Sequence, residues 1–182
     1  MDRSTGWAPA TGSVMLSGVF DDLLRANRQY VAGFELAGIP ARAAKEFALV
    51  TCMDSRIEPL TMLGLRPGDA KIVRNAGGRV TPDVLRSLVL ATRFLGVRRI
   101  AVMQHTQCAL VDRSDDDIRS DLAAQGLERP DGWEFLAMPD PDSALVTDVA
   151  AVRACDLLPG DVRVEGWRYD VASGEIVQVV RS

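Results

Sequence analysis

Three side chains able to do chemistry occupy alternate positions in one short stretch, "TCMDSR": the thiol of Cys52, the carboxylate of Asp54 and the guanidinium of Arg56. The chain contains one histidine, His105, so any histidine chemistry takes place there. His105 opens the run His-Thr-Gln-Cys, which ends on a second thiol, Cys108. Two thiolates and one imidazole form a good shell for zinc, a borderline-soft ion that prefers four tetrahedral ligands. Three protein donors leave the fourth position open, as catalysis requires, whereas a closed structural site needs one more donor. Cys155 is the remaining cysteine, but it lies in "VAAVRACDLL", where a small buried apolar residue is the simpler reading. Asp54 has two options beside such an ion. It can accept a hydrogen bond from metal-bound water, or it can swing in and take the fourth position. Arg56, which stays charged, holds the carboxylate ionised and competes with zinc for it, so the pair can act as a gate. The plain alternative is a surface ion pair of little energetic weight.

These residues converge only if the right elements carry them. "FALVTC" (47–52) reads as a short buried strand that ends on Cys52, and "RRIAVMQHT" (98–106) as another that ends at His105. Side chains alternate along extended backbone, so 52, 54 and 56 share a face for as long as the strand geometry lasts. A strand over about 70–74 leads into the glycine-rich "RNAGG". Helices are predicted over 18–37, 58–65, 114–126 and 142–157. A further helix is signalled by Thr81-Pro82-Asp83, which supplies a capping hydroxyl, proline at the first helical position and an acid in the first turn; Gly96 closes it. The tail "VRVEGWRYDVASGEIVQVV" alternates and turns at Ala172-Ser173-Gly174, as a hairpin does. Strands alternating with helices predict a three-layer α/β fold. Its central, mostly parallel sheet has four to five strands flanked by helices, with an N-terminal helical arm. In such sheets ligands collect outside the carboxyl ends of the strands, where strand order reverses. Cys52, His105 and Cys108 meet there if their strands are neighbours.

Composition narrows the class further. The 182 residues suit a single domain, 1–182, with 1–15 a loose arm rich in Gly, Ser, Thr and Pro. A net charge of -4 gives no sign of a nucleic-acid-binding face. The acidic run "DRSDDD" reads as a solvated helix start. Three scattered cysteines do not form a disulfide framework and fit a reducing, cytoplasmic setting. No signal-peptide core and no membrane span is expected.

"CMDSR", "IVRNAGG" and "HTQC" together resemble the β-class carbonic anhydrases, in particular the short prokaryotic type. The resemblance covers residues 45–110 firmly and the tail more loosely. It implies one Zn²⁺ per chain on Cys52, His105 and Cys108, with Asp54 and Arg56 as the catalytic dyad. In closed members of the family the matching aspartate itself ligates zinc; in open members water does. Arg74 and the stretch Asn75, Ala76, Gly77 and Gly78 match a segment that helps line the substrate pocket. Those glycines permit close backbone approach and leave N–H groups for an oxyanion, or they make a plain strand-to-helix turn. The implied reaction is reversible hydration of CO₂ to bicarbonate and a proton through zinc-bound hydroxide, in a self-associating dimer or tetramer. Two positions depart from the family pattern. Ala109 stands where many members have glycine, and Gln107 stands where related short members often have Asp or Gly. With His105 used as a ligand, no histidine remains to shuttle the proton, which leaves through water and buffer. The rival readings are hydrolysis of CS₂ or COS on the same scaffold, a non-catalytic zinc-stabilised structural or regulatory protein, and a thiol redox protein using Cys52 and Cys108.

Overall fold

A computed structural model describes residues 18–127 and 132–182. The arm expected over 1–15 lies outside the described residues. The chain divides into two compact units, Met1–Gly38 and Ile39–Ser182. The described part of the first unit carries helix α1, Asp21–Ala32. This helix ends earlier than the apolar pattern suggested, because Gly33 stops it, sending its N–H back to the carbonyls of Tyr30 and Val31. None of its residues is buried.

The second unit is built on a five-stranded sheet with the order β2-β1-β3-β4-β5. The strands are β1 (Phe47–Cys52), β2 (Ala70–Asn75), β3 (Arg99–His105), β4 (Arg163–Tyr169) and β5 (Ile176–Val180). The first four run parallel, and β5 returns antiparallel to β4 as the predicted hairpin, with Gly174 at a positive φ in the turn. All six residues of β1 are buried, as a central parallel strand covered on both faces requires. From β1 the chain moves to β2 on one side. From β3 it moves to β4 on the other side. The carboxyl ends of β1 and β3 therefore flank the point where strand order reverses, the place such sheets bind ligands.

Helices cover one face more fully than the other. Helix α3 (Pro82–Phe94) and helix α5 (Pro141–Arg153) bury Val84, Leu88, Ala91, Leu145, Val149 and Val152 against Ala48, Val50, Ile100 and Val102. The opposite face buries Phe47, Leu49, Ala101 and Met103 under Ile57, Met138 and the short helix α2 (Pro59–Met62). Helix α2 is half the predicted length, because Gly64, at φ 63°, reverses the chain and lets Leu65 N–H reach the carbonyl of Leu60 at 2.8 Å. The helix starts follow their sequence signals. Thr81 accepts the Val84 N–H, and Asp140 accepts the Ser143 N–H. "SDDD" forms a capping box between Ser114 and Asp117 at the start of α4 (Asp115–Ala124). Among the described residues no helix is long and apolar enough to cross a membrane.

Candidate metal centre

β1 and β3 pair in register from Phe47 opposite Arg99 to Thr51 opposite Met103, so the two strands end side by side on Cys52 and His105. A tight loop then brings Cys108 back over them. One ligand atom from each of Cys52, His105 and Cys108 lies within 4.8 Å of the others, and all three residues are buried. The imidazole is oriented by its neighbours: Nδ1 donates to the carbonyl of Thr106 at 2.8 Å. Nε2 is therefore left as an acceptor. Thr106 is itself anchored to the end of β4. Its N–H reaches the Tyr169 carbonyl at 2.9 Å, and its hydroxyl donates to Asp170 Oδ1 at 3.2 Å.

Nε2 of His105 is buried and makes no hydrogen bond of normal geometry; what it faces is the Cys52 sulfur, with which it interacts electrostatically. A buried acceptor without a well-formed hydrogen bond is costly, and a metal ion facing two sulfurs resolves it. Hydrogen bonding to Cys108 lowers the Cys52 thiol well below the ordinary cysteine range, against the opposing effect of burial; His105 and the backbone N–H groups of Asp54 and Gly77 contribute in the same direction. Cys108 is pushed up by that same bond to Cys52 and by burial. Without a cation the pair thus retains one proton, and a dication is what allows both sulfurs to be thiolates. The donor set fits zinc.

The placement of Asp54 and Arg56 corrects the sequence argument in one respect. The strand stops at Cys52, and a turn, not strand alternation, returns Arg56 to Asp54. In that turn Asp54 Oδ1 accepts the Arg56 N–H at 2.9 Å, and the Asp54 carbonyl accepts the Ile57 N–H at 3.1 Å. The guanidinium then grips the carboxylate twice, Nε to Oδ1 at 3.0 Å and Nη2 to Oδ2 at 2.7 Å. These bonds hold the Asp54 carboxyl well below the usual carboxylate range. Oδ2 lies 3.8 Å from His105 Nε2, at the edge of the candidate ligand set. Arg74 secures the same turn from the next strand, donating to the carbonyls of Cys52 at 3.0 Å and Asp54 at 2.6 Å.

The segment Asn75–Gly78 packs closely against the strand ends. Gly78, at φ 67°, crosses the strand ends so closely that a Cβ would stand 2.9 Å from Cys52 N, Met103 O and Thr51 C. The Gly77 backbone N–H helps to lower the Cys52 thiol. The Asn75 amide nitrogen donates to the Arg79 carbonyl at 2.7 Å. Cys155 lies elsewhere, lining a separate hollow with Val152, Leu158 and Val164.

Two groups escaped the sequence reading. Behind the site, Arg79 forms a buried ion pair with Asp148, Nε to Oδ2 at 2.7 Å. Its signal was present: Asp148 sits on the same helical stripe as Leu145, Val149 and Val152, a charge among core positions. Gln107, legible in the sequence only as a departure from the family pattern, accepts two hydrogen bonds from Arg56.

Comparison with known proteins agrees with this geometry. A family model for carbonic anhydrase matches residues 47–128. The chain is 34% identical to β-carbonic anhydrase 1 of Mycobacterium tuberculosis over 161 residues, spanning 88% of this chain and 98% of that one. It resembles a carbonic anhydrase structure from Streptococcus mutans with TM-score 0.84 and 36% identity, covering 91% of this chain and 99% of that one. A carbon disulfide hydrolase of Acidianus sp. is 29% identical, with 86% of this chain and 87% of that one covered. With its metal-ready mouth at the switch point and relatives matching along most of its length, this chain belongs to the β-carbonic anhydrase family.

Proposed function

We propose that the chain performs the family's reaction, reversible hydration of CO₂ to bicarbonate and a proton, at this mouth, with zinc held by Cys52 Sγ, His105 Nε2 and Cys108 Sγ. The observation that carries the assignment is the buried Nε2 of His105, without a well-formed hydrogen bond and grouped with two sulfurs within 4.8 Å. Zinc at such a site supplies Lewis acidity and makes water a nucleophile near neutral pH, carbonic anhydrase being itself the reference case, with a pKa of about 7 for the bound water.

The chain's own residues do the rest. Arg56 keeps Asp54 ionised and turned toward the guanidinium, which supports an open fourth position. Asp54 Oδ2, 3.8 Å from His105 Nε2, would orient the attacking oxygen through a hydrogen bond. If Asp54 instead moves onto the metal, it fills the position that water needs. The buried Leu49, Ala101 and Met103 pack in one cluster with Cys52 and Cys108 and give the site a rigid apolar floor. Asn75, Ala76, Gly77 and Gly78, which end β2 beside Cys52, would shape the substrate side in this reading.

Self-association accompanies this reading. Val19 and Phe20 just before helix α1, and Leu23, Leu24 and Val31 within it, are exposed, an apolar set that a second copy of the chain would cover in a dimer or tetramer. A reducing, cytoplasmic setting suits a centre built on free thiols.

Stopped-flow CO₂ hydration from about pH 6.5 to about pH 9, with metal analysis, tests the proposal. We expect activity that rises with pH and zinc in proportion to chain, with Asp54→Asn lowering kcat/KM by at least about tenfold. Parallel assays with CS₂ and COS decide whether those linear molecules are better substrates. A zinc-loaded protein without CO₂ hydration at about pH 8 or above would refute the assignment.

A further inference from the structure

We infer that Gln107 is a positioning residue: it docks Arg56 in the pose from which Arg56 holds Asp54, and thereby sets how readily that carboxylate leaves its arginine for the metal. The inference rests on the gate reading of Asp54 and Arg56 given above.

All three guanidinium nitrogens of Arg56 are engaged. Nε and Nη2 bind the two oxygens of Asp54. Nη1 donates to Gln107 Oε1 at 3.1 Å, and Nη2 also donates to the Gln107 main-chain carbonyl at 3.1 Å. One residue therefore chelates the far end of the guanidinium with both its side chain and its backbone. It does so from 51 positions away, inside the loop that joins two of the proposed ligands.

The backbone of Gln107 supports a built arrangement. Its φ is 56°, in the left-handed region that residues with a Cβ disfavour. Such a conformation persists where the surroundings over-determine it. Thr106 before it is tied to Tyr169 and Asp170, and Cys108 after it is buried in the ligand cluster. The same conformation aims the Gln107 carbonyl at Arg56.

The consequence follows from what Arg56 loses and keeps. Its side chain is long and 45% exposed, so an undocked guanidinium would sample many rotamers. When Asp54 departs, Arg56 forfeits the two bonds to the carboxylate and retains the two to Gln107. It stays in place to recapture Asp54, and pairing is favoured over metal ligation by the ordering that Gln107 has already imposed. Neutrality matters too. An amide oxygen holds the guanidinium without replacing its partner, whereas a carboxylate at 107 would compete with Asp54 for the same charge.

Two substitutions separate these elements. Gln107→Asn keeps tolerance of positive φ and the main-chain acceptor but shortens the side chain, so the Nη1 contact is lost. Gln107→Glu keeps the reach and adds the competing charge. In metal-free protein, ¹⁵N NMR of the Arg56 guanidinium should show restricted rotation in the parent chain and averaged Nη signals in Gln107→Asn. In cobalt(II)-substituted protein at one fixed pH near neutrality, the visible spectrum reports whether a carboxylate has joined the metal. The carboxylate-ligated share should rise about three- to fivefold in Gln107→Asn, the effect of one charge-assisted bond at a half-exposed site, and further in Gln107→Glu. Metal content should stay unchanged in both. Arg56→Ala is the reference. If Arg56→Ala moves the cobalt spectrum and neither Gln107 variant does, Gln107 has no positioning role. If Arg56→Ala leaves the spectrum unmoved, the gate fails and the role of Gln107 falls with it. Loss of metal in the Gln107 variants would show a merely structural residue and would also overturn the inference.

Discussion

Replacing Asp148 with alanine should destabilise this protein by an amount that reveals how dry the layer behind the metal centre is. Asp148 is 3% exposed and Arg79 9%. The carboxylate accepts Arg79 Nε at 2.7 Å and Nη2 at 3.3 Å, and also Gln104 Nε2 at 3.4 Å. Removing it leaves the guanidinium buried with one strong acceptor, the Leu136 carbonyl at 2.5 Å from Nη1. Orphaning one member of a buried ion pair costs about 3–5 kcal/mol, because the remaining charge has lost its compensation. Replacing both members by apolar groups, Asp148→Leu with Arg79→Met, should cost clearly less than that single change, since no charge is left stranded. Urea denaturation followed by far-ultraviolet circular dichroism measures both. A loss below about 1 kcal/mol for Asp148→Ala would refute the reasoning, because it would mean that water screens the pair. The effect should reach the site. Arg79 directly follows the glycine turn, and its carbonyl anchors Asn75. Asp148→Ala should therefore release zinc to a chelator faster than the parent protein.

Further outcomes are expected at and around the centre. Gly78→Ala should cost roughly 2–4 kcal/mol, from a disfavoured positive φ and contact with backbone atoms that cannot yield. Gly77→Ala should cost less, because the nearest atom at 2.9 Å is the end of the Leu110 side chain, which can move aside; thermal denaturation of the two variants ranks them. Cys52→Ser should abolish stoichiometric zinc, measured by metal analysis after gel filtration, and retention of full zinc would remove Cys52 from the ligand set. Burial works against the Asp115 carboxylate, but the Ala137 and Phe135 N–H groups hold its carboxyl below its ordinary value. The unfolded chain therefore binds this proton more readily than the folded one. The stabilisation is present above about pH 4 and is lost as pH falls below it, and Asp115→Asn should flatten that limb of urea midpoints recorded between about pH 3 and pH 6. Finally, kcat should rise with buffer concentration, since the only histidine lies in the proposed ligand set; equal kcat at low and high buffer would show an internal shuttle.

Much of the architecture was legible because its signals are local. The apolar runs of β1 and β3, the Thr81-Pro82-Asp83 helix start and the alternating tail appear where expected, since a period of two or a capping hydroxyl needs only near neighbours to act. Helix ends were less legible. Gly33 and Gly64 cut α1 and α2 short, and whether a glycine ends a helix or is merely carried in it depends on competing packing. The same division holds in the site. Cys52, His105 and Cys108 converge as the strand ends implied. Asp54 and Arg56 meet as expected but through a turn, because the register that would have sustained alternation stops at Cys52.

By itself, then, the sequence determined the donor types, their placement at strand ends and the pairing of a carboxylate with a guanidinium. These follow from residue chemistry and short-range periodicity. Only the tertiary structure decided that β1 and β3 are neighbours, that Gly78 passes between Cys52 and Met103, that Asp148 neutralises Arg79, and that Gln107 grips Arg56 from 51 residues away. Contacts of that kind depend on loop closure and side-chain packing across the whole sheet, and no spacing along the chain encodes them.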